Sequence, residues 1–277
     1  MIIYAPAKVN LRLKILNRRP DGYHNIETVF ERIALSDKIV LRNLKNDKIK
    51  LFCNHPDVPL DKNSLIYRAI HLFKKKKQVT KGIEVKIFKK IPIASGLGGG
   101  SSDAASILMG LNKLWKPFLS LPALLEFGRK LGADIPFFLK DCSFAAAKGR
   151  GDEVMPLGWK LKFWHLLISP PVKLLSKDIY DAYKISLRTP KRRNNDASSE
   201  LMNDLEHMVL KKAPVVAKIR NVLKNMGLTH SLVSGSGPSI FSLFARRKEA
   251  IGAKQLLIKR FPFAREKGCQ IFIVPTL

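Results

Sequence analysis

The feature that most constrains this chain lies between residues 82 and 115, where an alternating stretch runs into a glycine cluster and helical spacing follows at once. Ile83, Val85 and Ile87 alternate with charged residues, so residues 82–91 read as a strand that Pro92 ends. From Ser102 onward, Ala104, Ala105, Ile107, Leu108, Leu111, Leu114 and Trp115 fall on one helical face. Between the two lies Gly96-Leu97-Gly98-Gly99-Gly100-Ser101-Ser102. Glycines admit positive φ and let a backbone approach a ligand without a Cβ in the way. The first turn of the following helix presents free N–H groups and a positive dipole end, which stabilise an anion. A hydroxyl from Ser101 or Ser102 would reach a phosphate oxygen or a phosphate-bound Mg²⁺. A tight turn into the helix with no ligand fits the same residues.

Two familiar phosphate loops are excluded. A P-loop carries lysine and then serine or threonine after its last glycine, whereas Gly100 is followed by Ser101-Ser102. The dinucleotide fingerprint has glycine at its first, third and sixth positions, and counting from Gly96 the sixth is Ser101. A third type of phosphate loop is therefore expected. A second glycine turn, Ser234-Gly235-Ser236-Gly237-Pro238-Ser239, follows a short strand pattern and is readable as a ligand loop or as a hairpin turn.

The remaining periodicities predict an α+β chain. Strands are expected at 2–15, 26–41, 49–52, 164–169, 231–234, 240–244 and 270–274. Helices are expected at 63–75, from Ser120 (cap) to Gly132 (stop), at 176–185, 200–210 and 214–226, and from Lys248. The turn Arg19-Pro20-Asp21-Gly22 separates the first two strands, and the polar stretch 188–200 reads as an exposed loop. The pattern restarts between 155 and 162, which predicts two domains, 1–157 and 158–277.

Hydrophobic residues at 46% and charged residues at 26% exclude a disordered chain. Cys53, Cys142 and Cys269 are scattered and unpaired in spacing, against a disulfide framework or a structural zinc site. The start lacks the basic segment and apolar run of a signal peptide, and residues 163–172 are too short to cross a bilayer, so a cytoplasmic protein off the membrane is expected. The formal net charge is +28 and sits largely in runs such as 74–77, 89–90, 191–193 and 246–248. Such a charge attracts polyanions whether or not binding them is a function. Aromatics are not interleaved within these runs and no nucleic-acid-binding motif is visible, so a solvated basic surface without a specific nucleic-acid partner is expected.

Phosphoryl transfer to an alcohol needs a held phosphate, a neutralising cation and a group that orients or deprotonates the hydroxyl. Asp134, in Gly132-Ala133-Asp134-Ile135-Pro136, follows a helix end among apolar residues, where partial burial would raise its pKa and a nearby lysine would lower it. Lys8, in an otherwise apolar strand, is a candidate partner. Each is equally readable as an ordinary turn or strand residue. Tyr23-His24 would stack on and hydrogen-bond a flat ligand, or pack as loop residues.

Several of these motifs occur together in one family. Pro6-Ala7-Lys8-Val9-Asn10-Leu11, Arg19-Pro20-Asp21-Gly22-Tyr23-His24, residues 92–105, 132–138 and 234–241 stand in its order. The chain resembles the GHMP kinase superfamily and, within it, the kinases of 4-diphosphocytidyl-2-C-methyl-D-erythritol, over nearly its whole length. The resemblance implies two α+β domains with ATP and substrate in the cleft between them, and non-mevalonate isoprenoid synthesis as the pathway. It implies Asp134 as general base on the 2-hydroxyl, with Lys8 orienting both. Asn10, Tyr23, His24, Phe30 and Tyr180 would contact the small-molecule cytidine diphosphate substrate, Tyr23 and Tyr180 on opposite faces of the cytosine. Asn63, Lys89, Pro92, the loop Gly96, Leu97, Gly98, Gly99, Gly100, Ser101, Ser102, and Gly235, Ser236 and Gly237 would hold ATP, with Mg²⁺ carried by the nucleotide. No metal site of the chain's own and a monomer or weak homodimer are expected.

Ala94-Ser95 departs from glycines often found there. Two alternatives stand beside this reading: another superfamily kinase, acting on mevalonate-type, homoserine or sugar substrates, and a basic nucleic-acid-binding protein. The first has no use for the Tyr23-His24 pair. The second leaves Asp134, Lys8 and the loop unexplained.

Overall fold

The computed structural model describes residues 1–116, 118–183, 201–262 and 268–277. The loop expected at 188–200 and the end of the helix expected at 176–185 lie outside these residues. Two long antiparallel strands, β1 (Ile2–Arg18) and β2 (His24–Leu44), form the central ribbon. Its alternation is that of the sequence: Ala5, Ala7, Val9, Leu11, Leu13 and Ile15 are all buried. Register shifts at Pro6/Ala7, Asn10/Arg12 and Ile15/Asn17 bend it. Beside β2 lie β3 (Ile49–Cys53), parallel to β4 (Gly82–Phe88), and the hairpin β5 (Phe144–Lys148) with β6 (Glu153–Leu157). The β5–β6 hairpin carried no clear alternation in the sequence. With β8 (Met202–Asn203) the described strands make a seven-stranded sheet ordered β3-β4-β2-β1-β8, with β5 and β6 off that path.

One face of this sheet is covered by α1 (Leu65–Lys77), α2 (Gly99–Leu114), α3 (Leu121–Leu131) and α4 (Ile135–Leu139). Ser64 caps α1 through the Ile66 N–H (3.3 Å), and the four lysines of its last turn suit the negative end of the helix dipole. The strand expected to reach Ile91 stops at Phe88, because the Asp37 carboxylate accepts the Lys90 and Ile91 N–H groups (2.5 and 2.9 Å) in place of a ladder partner.

The second sheet is ordered β11 (Gln270–Pro275), β7 (Trp164–Ser169), β10 (Ile240–Phe244), β9 (Ser231–Val233). Beside it stand α5 (Ser176–Ala182), α6 (Glu206–Lys212), α7 (Pro214–Asn225) and α8 (Arg247–Arg260). The helix expected at 200–210 begins only at Glu206. Asn203 and Asp204 are engaged elsewhere: the Asn203 amide donates to the Val233 and Gly235 carbonyls (both 2.8 Å), and Asp204 accepts the Ile15 N–H (2.8 Å). Tertiary bonds thus override a helical pattern.

A third apolar cluster joins the halves. It takes Ala7, Val9 and Leu11 from β1, Ile33 and Leu35 from β2, Leu97 from the glycine loop, and Leu167, Leu232 and Phe241 from the second sheet. Within this seam Glu31 meets His165 Nε2 at 3.0 Å and accepts the Thr276 hydroxyl at 2.5 Å, all three being buried. A buried polar cluster bonded this way holds parts together chiefly because leaving a member unpartnered is costly.

Candidate active site

A cleft of about 1150 Å³ opens above this seam, with walls from both halves. The turn from β4 to α2, expected from sequence to hold phosphate, forms one end of it. Helix α2 starts at Gly99, three residues ahead of the sequence expectation, with Gly98 as its cap at φ +71°, so the N–H groups of Gly99, Gly100 and Ser101 stand at an open helix terminus. The glycines serve different ends. At Gly96 (φ +77°) a Cβ would collide with the Ser234 carbonyl, whereas around Gly100 nothing lies within 4 Å of one. Gly96 lets two loops touch; Gly100 leaves room for a ligand. Ala94 takes φ +52° just before the loop, a left-handed conformation that a glycine adopts more easily.

The second glycine turn is the floor beneath the first. Ser234 Oγ donates to the Gly96 carbonyl (3.1 Å), and the Ser239 N–H donates to the Ser95 carbonyl (3.2 Å). Gly235 and Ser236 line the cleft, and Ser236 Oγ meets Ser176 Oγ at 2.7 Å. Gly237 does not line it: its free side faces Val209 of α6.

Lys8 and Asp134 come together from residues far apart in sequence. Lys8 is buried and its Nζ stands 3.5 Å from Asp134 Oδ2, donates to Asn10 Oδ1 (2.6 Å) and lies 5.2 Å from the Phe30 ring centre. Asn10 in turn donates to Thr28 Oγ1 (2.8 Å), which donates to the Arg12 carbonyl (2.6 Å). Asp134 stands at the N-cap of α4 without spending its carboxylate on the cap, and its side chain is 32% exposed into the cleft. The Tyr180 hydroxyl is pushed well up, first by burial and then by the charge of Asp134.

Tyr23, His24 and Tyr180 gather at the other end of the cleft. The His24 and Tyr180 rings are 5.6 Å apart and tilted by 31°. His24 Nδ1 is buried with no hydrogen-bond partner, and burial, then the Arg18 charge, holds the imidazole below its ordinary pKa of 6.5. It is therefore neutral at pH 7 with an acceptor or donor to spare. Tyr23 is exposed on its turn, where Asp21 accepts its N–H (3.1 Å).

Sequence reasoning missed Arg150. Its guanidinium lies 5.2 Å from the Tyr23 ring centre and is fixed by Asp152 (2.8 Å) and the Arg129 carbonyl (3.1 Å). The signal was present as Gly149-Arg150-Gly151, a hairpin turn with both glycines at positive φ, but its target was not. Of the other expected residues, Pro92 and Ser101 line the cleft. Leu97 is in the core and offers its carbonyl to the Lys8 N–H (3.0 Å). Ser102 is buried with an unpartnered hydroxyl. Asn63 is spent on Asp61 (2.9 and 3.2 Å) and is outside the lining, while its neighbour Ser64 is inside it.

Lys89 lines the cleft but is clasped by two carboxylates, Asp37 and Asp103 (2.7 Å), all three nearly inaccessible. The two charges raise the Lys89 pKa against the effect of its own burial, and burial, eased by Lys89 and reinforced by Asp37, pushes Asp103 up to about 7.

Residues 64–141 match the family of GHMP kinases N terminal domains, and residues 181–262 match GHMP kinases C terminal. A 4-diphosphocytidyl-2-C-methyl-D-erythritol kinase of Desulfotalea psychrophila is 36% identical over 264 residues, 91% of this chain and 87% of that protein. A crystal structure of 4-(cytidine 5'-diphospho)-2C-methyl-D-erythritol kinase superposes with a TM-score of 0.79 at 29% identity, covering 99% of each chain. A homoserine kinase from Cytophaga hutchinsonii shares the fold, with a TM-score of 0.73 at 18% identity over 100% of this chain and 94% of its own.

Proposed function

Because the chain belongs to the GHMP kinases, in the family of 4-diphosphocytidyl-2-C-methyl-D-erythritol kinases, we propose how its own side chains perform that reaction. The enzyme transfers the γ-phosphoryl group of ATP to the 2-hydroxyl of 4-diphosphocytidyl-2-C-methyl-D-erythritol, giving the 2-phosphate and ADP in non-mevalonate isoprenoid precursor synthesis. The observation that carries our assignment is the Lys8–Asp134 pair, 3.5 Å apart, in the same cleft as the open N-terminus of α2.

Asp134 accepts the proton of the 2-hydroxyl as its oxygen bonds to the γ-phosphorus and the bond to the β-phosphate oxygen breaks. Lys8, held by Asn10 and seated beside Phe30, orients the carboxylate and neutralises the developing charge. The N–H groups of Gly99, Gly100 and Ser101 receive the phosphates of ATP. Tyr23 and Tyr180 flank the cytosine and His24 meets its edge. Arg150 holds Tyr23 in place. Lys89 acts by fixing the first turn of α2 through Asp103, not by reaching the nucleotide itself.

Mg²⁺ arrives with ATP. Among the described residues there is no cluster of three or more His, Cys, Asp or Glu able to hold a metal. Ser101, which lines the cleft at the helix start, would offer the ion a hard oxygen, and the unpartnered Ser102 hydroxyl lies buried just behind it. When bound, the ion neutralises charge on the β- and γ-phosphates.

We place the domain boundary after residue 157, between β6 and β7. No helix among the described residues is long and apolar enough to cross a membrane. We assign the enzyme to the cytoplasm, as a monomer or weak homodimer, since Lys8, Asp134, Tyr23, His24 and Tyr180 line one cleft of a single chain.

An ADP-release assay with a panel of alcohols tests the reading. Release is expected with the cytidine diphosphate substrate and not with mevalonate, homoserine or simple sugars. Full activity on an acceptor lacking cytidine would remove the Tyr23–His24–Tyr180 assignment.

A further inference from the structure

The first sheet has helices on one face, and the part of its other face that is not packed against the second sheet is unlike an ordinary solvated surface. The strand order brings three aromatics onto it: Tyr4 on β1, Phe88 on β4 and Phe52 on β3, which are 66%, 45% and 48% exposed. Pairing puts Tyr4 opposite Lys38 and Lys38 opposite Phe88, so one row across the sheet runs aromatic, cation, aromatic. The next row runs Ile2, Val40, Lys86, Phe52. Lys38 Nζ lies 5.9 Å from the Phe88 ring centre and Lys86 Nζ lies 5.7 Å from that of Phe52. Arg42 and Lys50 extend the pattern by one row, around Glu84, which Arg42 and Lys86 already pair at 3.3 and 3.7 Å. The face therefore offers flat rings about one and two strand spacings apart, each beside an ammonium group, with positive charge in excess.

We propose that this face binds single-stranded RNA without strong sequence preference. Unpaired bases stack on exposed aromatics while neighbouring lysines meet the phosphates, and a sheet surface offers both at once. A flat sheet face cannot enter the narrow major groove of an RNA duplex, so the rings select unpaired bases. The net charge of +28 complements such a polyanion. None of these residues lines the catalytic cleft, so the two activities are separable.

The test uses the full-length protein and a fluorescein-labelled oligouridine of about 12 nucleotides, followed by anisotropy at low and physiological salt. Wild-type protein is expected to bind it at least about tenfold more tightly than an RNA duplex of equal length. Phe52→Ala/Phe88→Ala leaves net charge unchanged and is expected to lose about tenfold or more in affinity while keeping full kinase activity, which also reports correct folding. Lys38→Gln/Lys86→Gln is expected to weaken binding more than Lys211→Gln/Lys212→Gln on the exposed side of α6, which removes the same charge elsewhere. Equal affinity of the aromatic variant and wild type, or losses that follow net charge alone, would overturn the proposal. So would a wild-type dimer that binds no oligonucleotide and that the aromatic variant turns into a monomer.

Discussion

The two ends of the catalytic cleft are built on different principles. At the phosphoryl end the groups that matter are backbone N–H groups and ion pairs sunk between elements: Lys8 between Asn10 and Asp134, Lys89 between Asp37 and Asp103. At the base end they are side chains with capacity left over, an exposed Tyr23, a buried but unpaired His24 Nδ1 and Tyr180 from the other half. The first kind of site is rigid because the fold would lose stability without it. The second is adaptable if, as we propose, its partner is the ligand. Damage at the two ends should accordingly appear in different quantities, turnover and stability at one, substrate requirement at the other.

The sharpest break is Asp134→Asn. It should lower kcat by about 10²–10⁴-fold and leave ATP affinity nearly unchanged, measured by steady-state kinetics beside nucleotide titration; a near-normal kcat would strip Asp134 of the base role. Lys89→Met leaves two carboxylates sharing a buried space without their cation, and should cost about 3–5 kcal/mol of stability in denaturant unfolding. If that variant instead weakened only ATP binding, Lys89 would belong to the ligand and the contrast would blur.

At the base end Tyr23→Ala should raise the substrate KM by about 1–3 kcal/mol equivalent, with kcat and ATP affinity little changed. Arg150→Met should do the same more weakly, by about 0.5–1 kcal/mol, as a loss of an exposed cation–π contact. Acid should have the mildest effect. His24 is neutral above its ordinary value of 6.5, and protonation below it fills the free Nδ1, so the substrate KM should rise several-fold as pH falls. A KM profile from about pH 8 to about pH 5, flattened in His24→Gln, checks this.

The chemistry was legible in sequence where one short segment does one job. Alternation, a proline stop and three adjacent glycines locate the phosphate loop, because helix start and anion site are the same few residues. Tyr23 and His24 were visible as neighbours on a turn. What stayed hidden depends on who arrives from elsewhere. Arg150 has meaning only once the β5–β6 hairpin delivers it to Tyr23. Lys89, expected at the nucleotide, lines the cleft but is clasped by Asp37 from β2 and Asp103 from α2. Asn63 was expected at the nucleotide and is spent on Asp61, two residues away. The aromatic face is the plainest case: Tyr4, Phe52 and Phe88 share no window of sequence, and only the strand order makes them neighbours.

The central ribbon has a mechanical consequence. Strand β1 runs unbroken for 17 residues and feeds all three apolar clusters in turn, Ala5 the first, Ala7 to Leu11 the seam, Leu13 and Ile15 the last. The halves are thus mounted on one beam, besides the segment 158–163 that joins β6 to β7. Wide opening would have to flex that beam at its register shifts, one of which falls at Asn10/Arg12, beside the residue that steadies Lys8. At the rim Asp57, which lines the cleft, pairs with Lys173 at 2.7 Å, an exposed contact that adds little stiffness beside the beam.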